Sequence, residues 1–235
     1  MVCLCLNLGG IIGKHYAEVR LLPWFYYIAR GLLIGLFKLL TRWQVQGREN
    51  VPREGPVLVV ANHLNLADPP LLGVSLKRRV IFMAKEELFR SSVGAYFVSG
   101  LGSFPVHRGR LDREALRSSQ QVLDDGLALV MFPEATRSRH ARLQPAFPGS
   151  ALIACRSGVP ILPVAITGTE RLREPGWFFR RPRLKVNIGQ PFSLPPVESR
   201  LDREKLAEYT ELIMKRIAEL LPPKYRGVYA KSSED

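Results

Sequence analysis

At 235 residues the chain is long enough for one sizeable domain, and 46% hydrophobic against 23% charged residues excludes wholesale disorder. A formal charge of +13 favours anionic partners, whether phospholipid headgroups, phosphorylated substrates or nucleic acid, without choosing among them. Three cysteines, Cys3, Cys5 and Cys155, with no CxxC pair exclude a disulfide framework and a structural zinc site, and fit a reducing compartment.

Residues 2–12 are fairly apolar but lack the basic start and small-residue cleavage site of a secretory signal. Residues 21–40 (LLPWFYYIARGLLIGLFKLL) are mostly apolar and as a helix would be roughly 30 Å long, enough to reach across a hydrocarbon core. Arg30, in mid-segment, would cost about 2.5–3.5 kcal/mol there, which favours a helix lying at the interface over one that spans. Arg30, Lys38 and Thr41 fall on one side at 100° per residue, and Trp24, Phe25, Tyr26 and Tyr27 cluster near the start as interfacial anchors do. A soluble core helix is the plainer alternative.

From Trp43 onward, β-rich apolar runs at 56–61, 80–84, 103–106, 127–132, 161–166 and 184–188 predict six strands. Helical patterns at 112–125, closed by Gly126, at 149–156, closed near Gly158, and at 201–221, stopped by Pro222 and Pro223, alternate with them. The alternation predicts an α/β fold with a central sheet flanked by helices, in a domain covering 43–235 behind an apolar membrane-associating segment at 1–42.

Four segments carry candidate chemistry. His63 and Asp68 lie at a strand-to-helix junction, with Asp68 before Pro69 and Pro70 read as an N-cap. On one continuous helix a five-residue separation turns two side chains about 140° apart, so a bend is needed to join them. A carboxylate that holds one imidazole nitrogen leaves the other free to take a proton from an alcohol. No Gly-x-Ser-x-Gly elbow offers a covalent acyl carrier, so direct transfer is favoured. The second segment, Gly102-Ser103-Phe104-Pro105-Val106-His107-Arg108, places an arginine at a strand tip. In the third, Phe132 to Ser138, Glu134, Thr136 and Arg137 open a loop whose arginines suit a phosphate, with Glu134 free to accept from a glycerol or to hold an arginine. The fourth, Val159 to Ala165, carries Pro160 and Pro163, which predict an edge or irregular strand that either lines an acyl groove or packs the core.

In this order the four segments resemble the 1-acylglycerol-3-phosphate O-acyltransferase family of phospholipid biosynthesis, over roughly 63–165. The resemblance implies a glycerol-3-phosphate acyltransferase-like fold, His63 and Asp68 as the catalytic pair, and Gly102, Phe104, Arg108, Glu134, Thr136 and Arg137 as ligands of the acceptor's glycerol phosphate. It implies Pro160 and Pro163 at the acyl-donor groove. Two departures stand out: the second motif has one residue fewer between glycine and phenylalanine than the fuller pattern, and Ala135 replaces a glycine. If that position needs a positive φ, alanine strains it by about 1–2 kcal/mol. The implied partners are a phospholipid membrane, lysophosphatidate and acyl-CoA or acyl carrier protein as co-substrate. No other cofactor and no metal is expected, and the active site is expected on the cytoplasmic side. Glycerol 3-phosphate or another lysophospholipid is the alternative acceptor. A basic nucleic-acid-binding protein, prompted by Trp177, Phe178 and Phe179 beside Arg180, leaves the ordered motifs unexplained, and a scaffold without activity leaves the intact pair unexplained.

Overall fold

The computed structural model describes residues 23–89, 103–106, 113–195 and 201–230. The reading of residues 1–22, and of Gly102 and Arg108, lies outside them. Helix α1 (Pro23–Leu40) leads into β1 (Arg42–Gln46), β2 (Val57–Ala61), α2 (Asp68–Ser75), β3 (Val80–Lys85) and β4 (Ser103–Val106). Then follow α3 (Arg113–Asp124), β5 (Ala128–Met131), α4 (Gly149–Ser157), β6 (Ile161–Thr167), the single turn α5 (Trp177–Arg180), β7 (Arg183–Ile188) and α6 (Arg203–Glu219).

The strands form one sheet in the order β1-β7-β6-β2-β5-β3-β4, parallel throughout except where β7 meets β6. In β2 (VLVVA) all five residues are buried, as a central parallel strand covered on both faces requires. Its alternate residues serve opposite layers: Leu58 and Val60 join α3, α4 and α6 on one face, Val57 and Val59 join α1 and α2 on the other. On the first face α6 starts at Asp202, whose side chain accepts the Lys205 N–H at 2.8 Å, and buries Tyr209, Ile213 and Ile217. Each such side chain contributes about 1.5–3 kcal/mol.

Three expectations are corrected. The sheet has a seventh strand, β1 (RWQVQ), whose polar residues hide it because it is an edge strand buried on one side at most. β6 is an inner strand between β7 and β2, not an edge. Its Pro163 is tolerated because it lies just before the antiparallel ladder opens at Val164↔Ile188, where it accepts from the Gly189 N–H at 2.9 Å and has no ladder N–H to supply. The third correction concerns the polar side of α1, which faces protein in part: Arg30 donates to the carbonyls of Gly73, Val74 and Leu76 at 3.3–3.4 Å, at the C-terminal end of α2, and Thr41 is buried, while Lys38 is exposed. Phe37 packs into the core beneath, while Ile28, Leu32, Leu36 and Leu39 stand exposed, Leu32 by 72%. Apart from Lys38, the large exposed side chains of the helix from Tyr27 on are hydrophobic. No helix among the described residues is long and apolar enough to cross a membrane.

Candidate active site

The parallel strands β2 and β5 end side by side, and the loops leaving them meet. Asn62, buried, continues β2 by side-chain pairing with β6: Nδ2 donates to the Ile166 carbonyl at 2.9 Å and Oδ1 accepts the Ile166 N–H at 2.7 Å. The chain then bends. Asp68, fully buried, reaches back across the bend with Oδ2, which accepts the N–H groups of Leu64 (2.6 Å) and Asn65 (2.7 Å) and lies 2.8 Å from His63 Nδ1. The bend thus brings together two residues that a helix would hold apart. Asp68 is itself the first residue of α2, after Ala67, and not its N-cap, because its carboxylate is committed to the preceding loop. The two amide donors fix the orientation of the carboxylate, and a carboxylate on Nδ1 selects the tautomer in which Nε2 accepts a proton. The imidazole stacks on Phe132, with ring centroids 4.2 Å apart.

Glu134 anchors the backbone of this bend. Its Oε1 accepts the His63 N–H at 2.9 Å and its Oε2 accepts the Gln144 N–H at 3.0 Å, while the Ser138 N–H donates to the His63 carbonyl at 2.8 Å. With both oxygens taken and 1% exposure, Glu134 holds the loop and, among the described residues, pairs with no arginine, which corrects its expected place beside a glycerol. Burial pushes its carboxyl up to about 7, against the two amide hydrogen bonds, with nearby Asp68 adding to the rise. Arg173 was not singled out in the sequence; its guanidinium donates to the carbonyls of Leu64 and Ser138 and joins the two loops.

His63 lines an apolar cavity of about 190 Å³, walled by Tyr26 and Leu33 of α1, Phe82 and Met83 of β3, and Phe132. Neither Pro160 nor Pro163 lines it: Pro160 precedes β6 and its carbonyl accepts the Leu58 N–H at 3.0 Å, and Pro163 lies inside the sheet beside Val60, near Leu220. Phe104, 1% exposed, packs into the core with α3, and its neighbour Ser103 lines the cavity instead, since successive strand residues face opposite ways. Thr136 and Arg137 are exposed and line a separate open groove with Arg139 and Arg142, the arginine-rich loop expected from the sequence. Ala135, in the turn between Glu134 and Thr136, has φ 53°. Cys155 on α4 is the only cysteine among the described residues; burial raises its thiol pKa and it lies off the cavity, unsuited to nucleophilic attack. The arrangement can deprotonate a hydroxyl brought to His63 while an apolar chain occupies the cavity.

The Acyltransferase family model matches residues 42–167. A 1-acyl-sn-glycerol-3-phosphate acyltransferase of Bacillus subtilis is 28% identical over 178 residues, covering 75% of this chain and 87% of that one. A chloroplastic enzyme of the same name from Brassica napus is 30% identical over 86% of this chain, which spans 56% of that relative's length. The solved 1-acyl-sn-glycerophosphate (LPA) acyltransferase of Thermotoga maritima superposes with a TM-score of 0.65 at 28% identity, over 83% of this chain and 78% of that one.

Proposed function

Because this chain belongs to the acyltransferase family and is an O-acyltransferase of the 1-acylglycerol-3-phosphate type, we propose that it moves a fatty acyl group from acyl-CoA or acyl carrier protein to the sn-2 hydroxyl of 1-acylglycerol 3-phosphate. The products are phosphatidate and a free thiol. The observation that carries this reading is the imidazole of His63, locked through Nδ1 on buried Asp68 and facing an apolar cavity.

His63 Nε2 takes the acceptor's hydroxyl proton as its oxygen attacks the thioester carbonyl carbon. The tetrahedral intermediate collapses with cleavage of the C–S bond, and the imidazolium returns its proton to the departing thiolate. Asp68 keeps the imidazole oriented and stabilises its charged form. The acyl chain occupies the cavity between α1 and β3, and the exposed Arg137, with Arg139 and Arg142, meets the acceptor phosphate by charge-assisted hydrogen bonds. The outward apolar face of α1 supports attachment to a phospholipid surface, where the lysophospholipid acceptor resides.

Thiol release by the purified full chain in detergent tests the reading, with both donors and three acceptors: lysophosphatidate, glycerol 3-phosphate and monoacylglycerol. Lysophosphatidate is expected to be the preferred acceptor, and His63→Ala to remove nearly all turnover from a protein that still folds. Preference for glycerol 3-phosphate would move the assignment to that acceptor, and near-normal turnover by folded His63→Ala would end the proposed chemistry.

A further inference from the structure

The aromatic and basic run Trp177-Phe178-Phe179-Arg180-Arg181 takes no part in the chemistry above. It is built as a turn: α5 is entered through Gly176 at φ 67° and left through Arg181 at φ 44°, and the carbonyl of the following Pro182 accepts the Arg42 N–H at 2.9 Å. Phe178 and Phe179 lie against each other with centroids 4.3 Å apart and stand 43% and 83% exposed. Two adjacent rings in water are an unfavourable surface that a soluble fold has no need to keep. The Arg181 guanidinium donates to the Lys38 carbonyl at 2.9 Å, which ties this turn to the end of α1 where Leu36 and Leu39 are exposed. Arg180, Arg181 and Arg183 are exposed around the rings, with Glu174 pairing only Arg180, at 3.1 Å.

We propose that residues 177–181 form a second membrane-docking element, whose two phenylalanines enter the interface of an anionic phospholipid leaflet beside the outward face of α1 while the arginines lie against its phosphates. Aromatic rings settle at the headgroup level, and each nearby basic residue is drawn to an anionic leaflet, so the two chemistries act at the same depth. The inference rests on the membrane-bound reading above. It adds a contact next to α1's C-terminal end, and two contacts fix the tilt of the site over the membrane where one helix leaves it free to roll.

The test uses the full chain and phosphatidylcholine vesicles with and without phosphatidylglycerol, with acyl transfer in detergent micelles measured in parallel. Phe178→Ser/Phe179→Ser is expected to weaken binding to the anionic vesicles roughly tenfold and to leave micellar turnover unchanged. Phe178→Trp/Phe179→Trp is expected to bind at least as tightly as wild type, and wild type to bind the neutral vesicles more weakly. Unchanged vesicle affinity of the serine variant overturns the proposal; if its turnover then falls with acyl carrier protein alone and not with acyl-CoA, the turn serves the carrier protein. A wild type that binds neither vesicle overturns the proposal together with the membrane-bound reading. Ring-dependent binding by a protein without acyl transfer upholds the docking element and removes the enzymatic assignment.

Discussion

Ala135→Gly isolates one strained residue. Ala135 closes the turn that follows β5, donating its N–H to the Phe132 carbonyl at 2.9 Å, and its φ of 53° lies in the left-handed region. That conformation costs an L-residue about 1–2 kcal/mol. Glycine escapes the cost but frees the unfolded chain, which returns about 0.4–1 kcal/mol. The balance favours the variant by about 0.8 kcal/mol at the midpoints of the two ranges, a rise in Tm of roughly 2–3 °C for a chain of this size. Thermal unfolding in detergent, followed by intrinsic fluorescence, reads it directly. Gly158→Ala supplies the opposite sign at a matched position, with φ 64° and no atom within 4 Å of the added Cβ, and should lower Tm. An unchanged or lower Tm for Ala135→Gly, alongside the expected fall for Gly158→Ala, would refute the strain argument.

Asp68→Asn, which keeps the side chain's shape but removes its charge, should lower kcat on the order of a thousandfold with little change in KM; a loss under about tenfold would mean that the pair is structural. Glu134→Gln tests the buried carboxyl. Burial raises the folded-state value to about 7 from the ordinary 4.5, so the stability this group contributes is complete below about 4.5 and is lost as pH rises through 7. The amide cannot titrate, and its donor end faces one of the two backbone amides, so the variant is less stable at every pH by about 1–3 kcal/mol at its best. Its deficit should narrow by about 2–3 kcal/mol between about pH 5 and pH 8 in urea unfolding, and a constant deficit would contradict the assigned burial. Leu33→Trp should fill part of the cavity and move donor preference to shorter acyl chains; an unchanged profile across a thioester length series would place the chain elsewhere.

The inner strands were legible because β2 and β6 are continuous apolar runs, and only a strand covered on both faces affords that composition. β1 was not, since three of the five residues of Arg42–Gln46 are polar and it borrows its identity from pairing with β7, far along the chain. The link between His63 and Asp68 could be argued from the need for a bend, but the bend's own supports could not: the amide partners of Glu134 and the reach of Arg173 are set by tertiary approach. Phe104 illustrates a different gap. The run Ser103–Val106 announces a strand, but alternation has two phases, and only the position of α3 decides that Phe104 turns inward while Ser103 meets the cavity. Arg30 was read as an expense to a membrane-spanning helix because its acceptors, the carbonyls that end α2, are invisible in a local window. Position 135 was the reverse case, where a glycine in the related pattern foretold a positive φ.

The two faces of α1 bear on how this enzyme can be handled in the laboratory. Truncation before β1 would strip Tyr26 and Leu33 from the cavity wall and Phe37 from the core, so a shortened chain loses its binding pocket along with its stickiness. The outward residues Ile28, Leu32, Leu36 and Leu39 are separable from that inner face. Repainting those four with glutamate and lysine, at the i,i+4 and i,i+3 spacings that favour such pairs, is the route to a water-compatible version that retains its pocket.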